Sequence, residues 1–182
     1  DTPEDSDFFE GDRLGLQWQW NANYKREWYD LKDGQLLLHA QVADPKIQLC
    51  DISNLLLQKW PAPEFAITTC LHLEQMKDGD VAGLVSLGGC YTALAVQKIH
   101  GKMTLQQRTG SWTKDDEVRT GLGEWNSDVI YIQMKVEQET YRTFYVGTTE
   151  ENLQPVGQMV EATPGRWVGV KDGLFAINEQ GA

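Results

Sequence analysis

The sequence predicts an all-β fold, an antiparallel β-sandwich of jelly-roll type. Three observations predict it. About ten segments have strand character, several of them alternating apolar and polar residues with a period of two. Turn signals recur roughly every 8–12 residues. No stretch carries the periodicity of a helix of three turns.

Residues 1–12 read as an acidic N-terminal tail or linker, with Asp1, Glu4, Asp5, Asp7, Glu10 and Asp12, and with Phe8 and Phe9 placed to dock. Residues 13–182 read as one β-sandwich domain. From Leu14 the period is two: Leu14, Leu16, Trp18 and Trp20 share one face, and Gly15, Gln17, Gln19 and Asn21 the other. Trp18 and Trp20 are therefore assigned to the core. Residues 21–29 read as a loop. A second strand, 35–41, follows the Asp33-Gly34 turn. Asp44-Pro45 breaks the chain, 55–59 is a short strand or a helical turn, and Pro61 and Pro63 end it.

Residues 64–74 alternate well, with Phe65, Ile67, Thr69, Leu71 and Leu73 on one face. After Asp78-Gly79 come strands 82–87 and 91–99, a hairpin joined at Gly88-Gly89. His100-Gly101 turns into 102–108. Residues 113–123 are polar and read as a loop. Strand 129–136 pairs with 140–146 across a turn near Gln138. Short strands follow at 153–159, 167–170 and 173–177, with a break at Pro164-Gly165.

Composition bounds the function. Hydrophobic residues make up 41% of the 182 residues, enough for a real core, which excludes global disorder. Seven Trp, six Tyr and five Phe suit a sandwich core or a sugar-facing surface equally. Lys and Arg number 16 against 27 Asp and Glu; a net charge of -11 argues against nucleic acid and anionic membrane as partners. No run approaches the ~18 apolar residues of a membrane helix, and no signal peptide is visible. The start at Asp1 leaves room for a removed leader or upstream domain. Cys50, Cys70 and Cys90 are odd in number and match no zinc spacing. They read as buried free thiols, with one disulfide as the alternative.

The chemistry candidates are few. Glycoside hydrolysis needs two carboxyls about 5–10 Å apart, and strand-borne pairs would sit two residues apart on one face. Glu74 has no such partner, Glu137 and Glu139 flank a turn, and Asp115, Asp116 and Glu117 lie in the predicted loop. No paired acids occur in mid-strand. Only His39, His72 and His100 are present, and neither Ser86 nor Cys90 sits in an elbow motif. Gly88-Gly89 lacks the helix and lysine of a phosphate loop. No motif calls for a cofactor. The acidic tail offers oxygen ligands of the kind calcium takes, without the spacing of a calcium loop, so calcium and the metal question stay open.

Sugar binding is the alternative to catalysis. Gln17, Gln19 and Asn21 form a polar face opposite the tryptophans. His72 and Glu74 share a face. Trp28, Tyr29, Trp60, Trp112 and Trp125 fall in predicted loops, where an exposed ring forgoes burial worth roughly 1.5–3 kcal/mol and so needs a partner. Gln17, Gln19, Asn21, Trp28, Tyr29, His72, Glu74, Trp112 and Trp125 are the candidates for carbohydrate or inter-domain contact.

Three stretches in order carry a resemblance: Gly11-Asp12-Arg13-Leu14-Gly15-Leu16-Gln17-Trp18-Gln19-Trp20-Asn21; Ala82-Gly83-Leu84-Val85 with Gly88-Gly89-Cys90-Tyr91; and Pro164-Gly165-Arg166-Trp167-Val168-Gly169-Val170-Lys171 with Gly173-Leu174-Phe175-Ala176. Over residues 11–178 the chain resembles the C-terminal concanavalin A-like domain of family 43 glycoside hydrolases, the β-xylosidase and α-arabinofuranosidase group. The resemblance implies a jelly-roll of the lectin and glucanase type that follows a catalytic five-bladed β-propeller. In that family the propeller holds the catalytic acids, and the sandwich packs on it and in some members lends a loop to the pocket rim.

Members continue past the Gly-Leu-Phe-Ala segment into a further strand. The stop at Ala182 implies a trimmed chain or a missing edge strand.

The expectation is a non-catalytic accessory domain. Its partners would be the propeller and a plant polysaccharide or oligosaccharide, in a secreted or periplasmic setting with the cytoplasm also open. The alternatives are a carbohydrate-binding module and a stand-alone sandwich glycosidase. For the Asn21 to Tyr29 loop the resemblance favours packing against the catalytic domain.

Overall fold

The computed structural model describes residues 6–112, 114–162 and 169–180, with backbone alone at 114–116. It is an antiparallel β-sandwich. The strands in chain order are β1 (Gln19–Trp20), β2 (Tyr29–Lys32), β3 (Gln35–Leu38), β4 (Gln41–Val42), β5 (Leu56–Lys59), β6 (Phe65–His72), β7 (Asp80–Leu87), β8 (Cys90–Ile99), β9 (Lys102–Ser111), β10 (Lys114–Glu124), β11 (Val129–Glu137), β12 (Tyr141–Gly147), β13 (Gln154–Glu161) and β14 (Lys171–Asn178).

One sheet runs β1-β5-β14-β7-β8-β9-β10, with β4 pairing parallel to the end of β14. The second runs β13-β12-β11-β6, and β2-β3 is a separate hairpin. β14 is interior, flanked by β5 on one side and β7 on the other.

The small sheet alternates inward apolar and outward polar residues along β6, β11 and β12. Its inward residues Ile130, Ile132, Met134, Val136, Phe144 and Val146 meet Leu84, Leu94, Val96, Leu105 and Leu174 of the large sheet. That is the inter-sheet core. The large sheet is buried on its other face as well. There Val81, Val85, Ala93, Ala95, Phe175 and Ile177 lie under Leu49, Cys50, Ile52 and Leu55 of the segment between β4 and β5. Two buried faces explain why β7, β8 and β14 read as nearly unbroken apolar runs.

Short turns close three hairpins, of two residues at Asp33-Gly34 and His100-Gly101 and of three, 138–140, between β11 and β12. Asp33-Gly34, His100-Gly101 and Gln138-Glu139 all take positive φ at both positions, the backbone that matches strand twist.

Four expectations are corrected. Residues 14–20 do not form a long two-faced strand; pairing is confined to Gln19–Trp20, because Trp18 N–H closes a turn on Gly15 O, and Leu16 at the tip is 94% exposed. Residues 113–123 were expected as a loop, yet β10 spans Lys114–Glu124. It is an edge strand with two register shifts, and its exposed side shows no apolar alternation. Strand 35–41 is interrupted after Leu38, where His39 N–H turns to Trp28 O. Cys70 is exposed on the outer side of the small sheet, although all three thiols are free. Of the expected strand at 167–170, Gly169 and Val170 are described and are not strand, Val170 being a buried residue whose carbonyl accepts from Trp60 N–H; positions 167 and 168 and the Pro164-Gly165-Arg166-Trp167 motif lie outside the described residues, as do Asp1, Glu4 and Asp5 of the tail.

Candidate functional site

Three constellations of side chains stand out. The first lies on the face of the large sheet turned away from the small one. Arg108 of β9 registers opposite Arg119 of β10, a like-charge pairing that is unfavourable alone. Two carboxylates resolve it. Glu117 lies 3.6 Å from Arg108 and 2.9 Å from Arg119. Glu179, just beyond β14, pairs with Arg108 and lies 3.0 Å from Arg119.

The other lone pairs of this network are used for fastening. Glu117 Oε2 accepts from Leu49 N–H at 2.7 Å and from the Tyr91 hydroxyl at 2.8 Å. Arg108 Nε donates to Gln106 at 2.6 Å, and Arg119 donates to Pro45 O at 2.7 Å. The side chains of Glu117 and Glu179 are 7% and 5% exposed. The network therefore ties β9, β10, the 43–55 segment and the end of β14 into one body.

The second constellation is between the sheets. Arg142 of β12 is fully buried and donates to Ser86 O at 3.2 Å, Ser86 Oγ at 3.1 Å and Cys90 O at 3.0 Å. Its Nη2 also lies 3.1 Å from Cys90 Sγ. Asp172 of β14 sits in the same layer and is buried. Burial pushes its carboxyl up to about 7, while Trp60, Ser86 and the Arg142 charge pull the other way. Neither Asp172 oxygen nor Trp60 Nε1 reaches hydrogen-bonding geometry, so Trp60 faces the carboxyl without closing a bond.

The third is a surface cluster of rings on the 20–29 segment. Trp20 stacks on Tyr24 at 5.9 Å and 21°, and meets Trp28 edge-on at 5.2 Å. Tyr29 lies 5.7 Å from Trp20, and the Arg26 guanidinium covers its ring at 5.2 Å.

The predicted site residues scatter among these features. Gln17 approaches Asp7 at 3.5 Å, and Gln19 registers opposite Leu57. Asn21 donates to Cys50 O and Ile52 O, fastening the 43–55 segment. Trp28 is buried in a 3-10 turn beside Tyr29 of β2. His72 and Glu74 are exposed on or beyond the outer face of the small sheet, His72 opposite Val129. Trp125 is half-buried with its N–H on Val129 O. Trp112 alone of the loop tryptophans stays open, at 48% exposure, its N–H on Gly88 O. Trp60, also expected in a loop, is a core residue. His39 pairs with Asp30 at 2.7 Å across the β2-β3 hairpin, which lowers the Asp30 pKa.

Sequence reasoning missed Arg108, Arg142, Asp172 and Glu179, and placed Glu117 in a solvated loop. A signal existed for two of them. Arg142 falls in step with Phe144 and Val146, and Asp172 with Leu174. A charge on the apolar beat of a strand is a buried charge, and a buried charge needs a partner.

A glycosidase acid must be held protonated, shielded from water. A shallow depression of about 480 Å³ is lined by Pro63, Glu64, Gln138 and Glu139. Both of its acids are exposed, and Glu64 accepts from Gln138 N–H at 3.2 Å. Among the described residues no group of three or more His, Cys, Asp or Glu is arranged to hold a metal ion.

Comparison with known proteins identifies the fold's relatives. The model of the β-xylosidase C-terminal concanavalin A-like domain matches residues 6–182. A putative β-xylosidase of Xylanibacter ruminicola is 27% identical over 167 residues, covering 90% of this chain and 29% of its own length. A β-xylosidase of Formosa agariphila is 25% identical over 207 residues, covering 98% of this chain and 33% of its own. The chain thus spans about a third of these relatives.

Among solved structures, a bifunctional GH43-CE protein of Bacteroides eggerthii superposes with a TM-score of 0.79 at 23% identity, over 96% of this chain and 23% of that one. A xylan β-1,4-xylosidase of Bacillus halodurans gives 0.75 at 18%, over 97% and 36%. With the match running through nearly every described residue, the chain belongs to the family of β-xylosidase C-terminal concanavalin A-like domains of glycoside hydrolase family 43.

Proposed function

We propose that this chain is the non-catalytic accessory domain of a β-xylosidase-type family 43 enzyme. Its task is to buttress a catalytic domain carried elsewhere in the same polypeptide and to shape the rim of that domain's pocket. The substrate of the whole enzyme would be a xylan- or arabinan-type polysaccharide or its oligosaccharides.

One observation carries the reading: the buried carboxylates Glu117 and Glu179 are clamped between two guanidinia. A carboxylate neutralised and hydrogen-bonded in this way neither attacks an anomeric carbon nor delivers a proton to a leaving oxygen. The limited span of the match within longer β-xylosidases supports the same division of labour.

The test is turnover of nitrophenyl xyloside and nitrophenyl arabinofuranoside by the 182-residue chain alone. No turnover above buffer is expected. Turnover lost on Glu117→Gln or Glu64→Gln, with the fold intact, would overturn the proposal in favour of a sandwich glycosidase.

A further inference from the structure

The strands that end the two sheets differ in how their edges are protected. β1 is two residues long. β10 carries two register shifts, and β13 carries one, with Pro155 and a positive-φ Gly157 inside it. Short, bulged or proline-bearing edges discourage a further strand. β6 has none of these devices. It pairs with β11 over its whole length without a shift and holds no Pro, Gly, Lys, Arg, Asp or Glu. Among the described residues no backbone hydrogen bond from outside β11 reaches 65–72.

The same edge is incompletely covered. Ile130, Ile132, Met134 and Val136 of β11 are buried, whereas Phe65, Ile67 and Leu71 of β6 pack on the same core and stay half-buried. On the outer face Ala66, Thr68, Cys70 and His72 are exposed.

We propose that β6 pairs antiparallel with β6 of a second copy of this chain, about a two-fold axis at Thr68, joining the two small sheets into one. The side chains set the register. Residues opposite one another in an antiparallel pair share a face, so the axis passes through a residue and not between two. With Thr68 on the axis, Phe65 meets the partner's Leu71 and Ala66 meets the partner's Cys70. Glu64 meets the partner's His72, whose imidazole can donate to the carboxylate. An axis at Thr69 sets Glu64 against the partner's Glu74, a like-charge pair. An axis at Ile67 sets Pro63 against the partner's Leu71, and one at Cys70 leaves Phe65, Ala66 and Ile67 outside the strand pairing. A lone extended peptide would satisfy the backbone of β6 but bring no core of its own. A second copy brings the same half-buried apolar row, and the two rows cover each other. Each copy carries a net charge of -11, so the pairing strengthens with added salt.

The experiment is sedimentation of the 182-residue chain over a concentration series at about 0.15 M salt, with amide hydrogen exchange read along β6. The mass is expected to rise to twice the 20.6 kDa of one chain, and exchange along β6 to slow with it. Thr68 is exposed and makes one side-chain bond, accepting from Gln133 Nε2 at 3.0 Å. Thr68→Lys and Thr68→Glu are each expected to weaken the dimer at least about tenfold, because like charges then meet on the axis. An equal mixture of the two variants is expected to restore it, which a misfolded strand could not do.

A monomer at every concentration overturns the proposal. So does a dimer indifferent to both substitutions, which uses another surface, or a dimer lost in both and not recovered in the mixture. A longer polypeptide carrying this domain that stays monomeric with β6 protected would have filled the edge from its own chain, and overturns it too. None of these outcomes bears on the accessory-domain reading, which turnover tests separately.

Discussion

The Tyr91 hydroxyl donates to Glu117 Oε2 at 2.8 Å, and its ring reaches that carboxylate by lying across Gly110, its register partner on β9. A Cβ built at Gly110 would stand 2.4 Å from the Tyr91 oxygen and 2.6 Å from Cζ. Tyr91 is fully buried and has no room to retreat. Gly110→Ala is therefore expected to cost about 2–3 kcal/mol in urea unfolding, from overpacking and a damaged charged hydrogen bond. Tyr91→Phe keeps the shape and should cost about 1–2 kcal/mol, because Glu117 retains Leu49 N–H and both arginines. An unchanged midpoint for Gly110→Ala would mean that the ring does not lie where the structure puts it.

The four-charge network should behave as a unit. Removing one carboxylate leaves Arg108 buried with too little negative charge around it. Glu179→Gln is expected to destabilise by about 3–5 kcal/mol. A double-mutant cycle on Arg108→Met and Glu179→Gln should give a coupling above about 2 kcal/mol. Near-additivity of the two changes would show that the network is not a working clamp, and would remove the argument that these acids are unavailable for chemistry.

Asp172 predicts a pH dependence of definite sign. Its folded pKa, pushed up to about 7 by burial, lies above its ordinary value of 3.8. The folded state therefore holds the proton more tightly than the unfolded chain. The stabilisation is complete below about pH 4, declines as pH rises toward 7, and is gone above it. Linkage over that interval amounts to at most about 4 kcal/mol, reduced if the Arg142 charge draws closer to the carboxylate on ionisation. Asp172→Asn should flatten the slope between about pH 4 and pH 7 in chemical unfolding. A slope that survives in Asp172→Asn would place its origin in another group.

Legibility in the sequence followed how many faces of a strand are buried. β6, β11 and β12 have one wet face, so apolar and polar residues alternate and were readable residue by residue. β7, β8 and β14 are covered on both faces and were found from apolar runs bounded by Gly-Gly, His-Gly and Asp-Gly turns. β10 was missed because it is an edge strand, and its meaningful inward residues, Glu117 and Arg119, are charged. A charged strand looks like a loop unless its partners are known, and Glu179 is more than sixty positions away.

The ring cluster was legible in composition only. Trp18 and Trp20 alternate as core residues would, yet only Trp18, stacked on Phe9, packs against the inter-sheet core, while Trp20 joins Tyr24 and Trp28 in the ring cluster.

Trp112 discriminates the accessory reading from a carbohydrate-binding module. Its ring is half exposed at the turn between β9 and β10, and among the described residues its N–H donates to Gly88 O. Trp125, by contrast, packs against the inter-sheet core. If Trp112 were a sugar platform, stacking would contribute on the order of 1–3 kcal/mol, by analogy with aromatic stacking on planar ligands. Calorimetric titration of the chain with xylo- and arabino-oligosaccharides would then give saturable heat, which Trp112→Ala abolishes while stability falls by less than about 1 kcal/mol. The accessory reading expects flat titrations for both the parent chain and Trp112→Ala. Saturable heat lost on Trp112→Ala and kept in a conservative Trp125→Phe control would move the function to sugar binding, because only a surface ring can be deleted without disturbing the core that positions it.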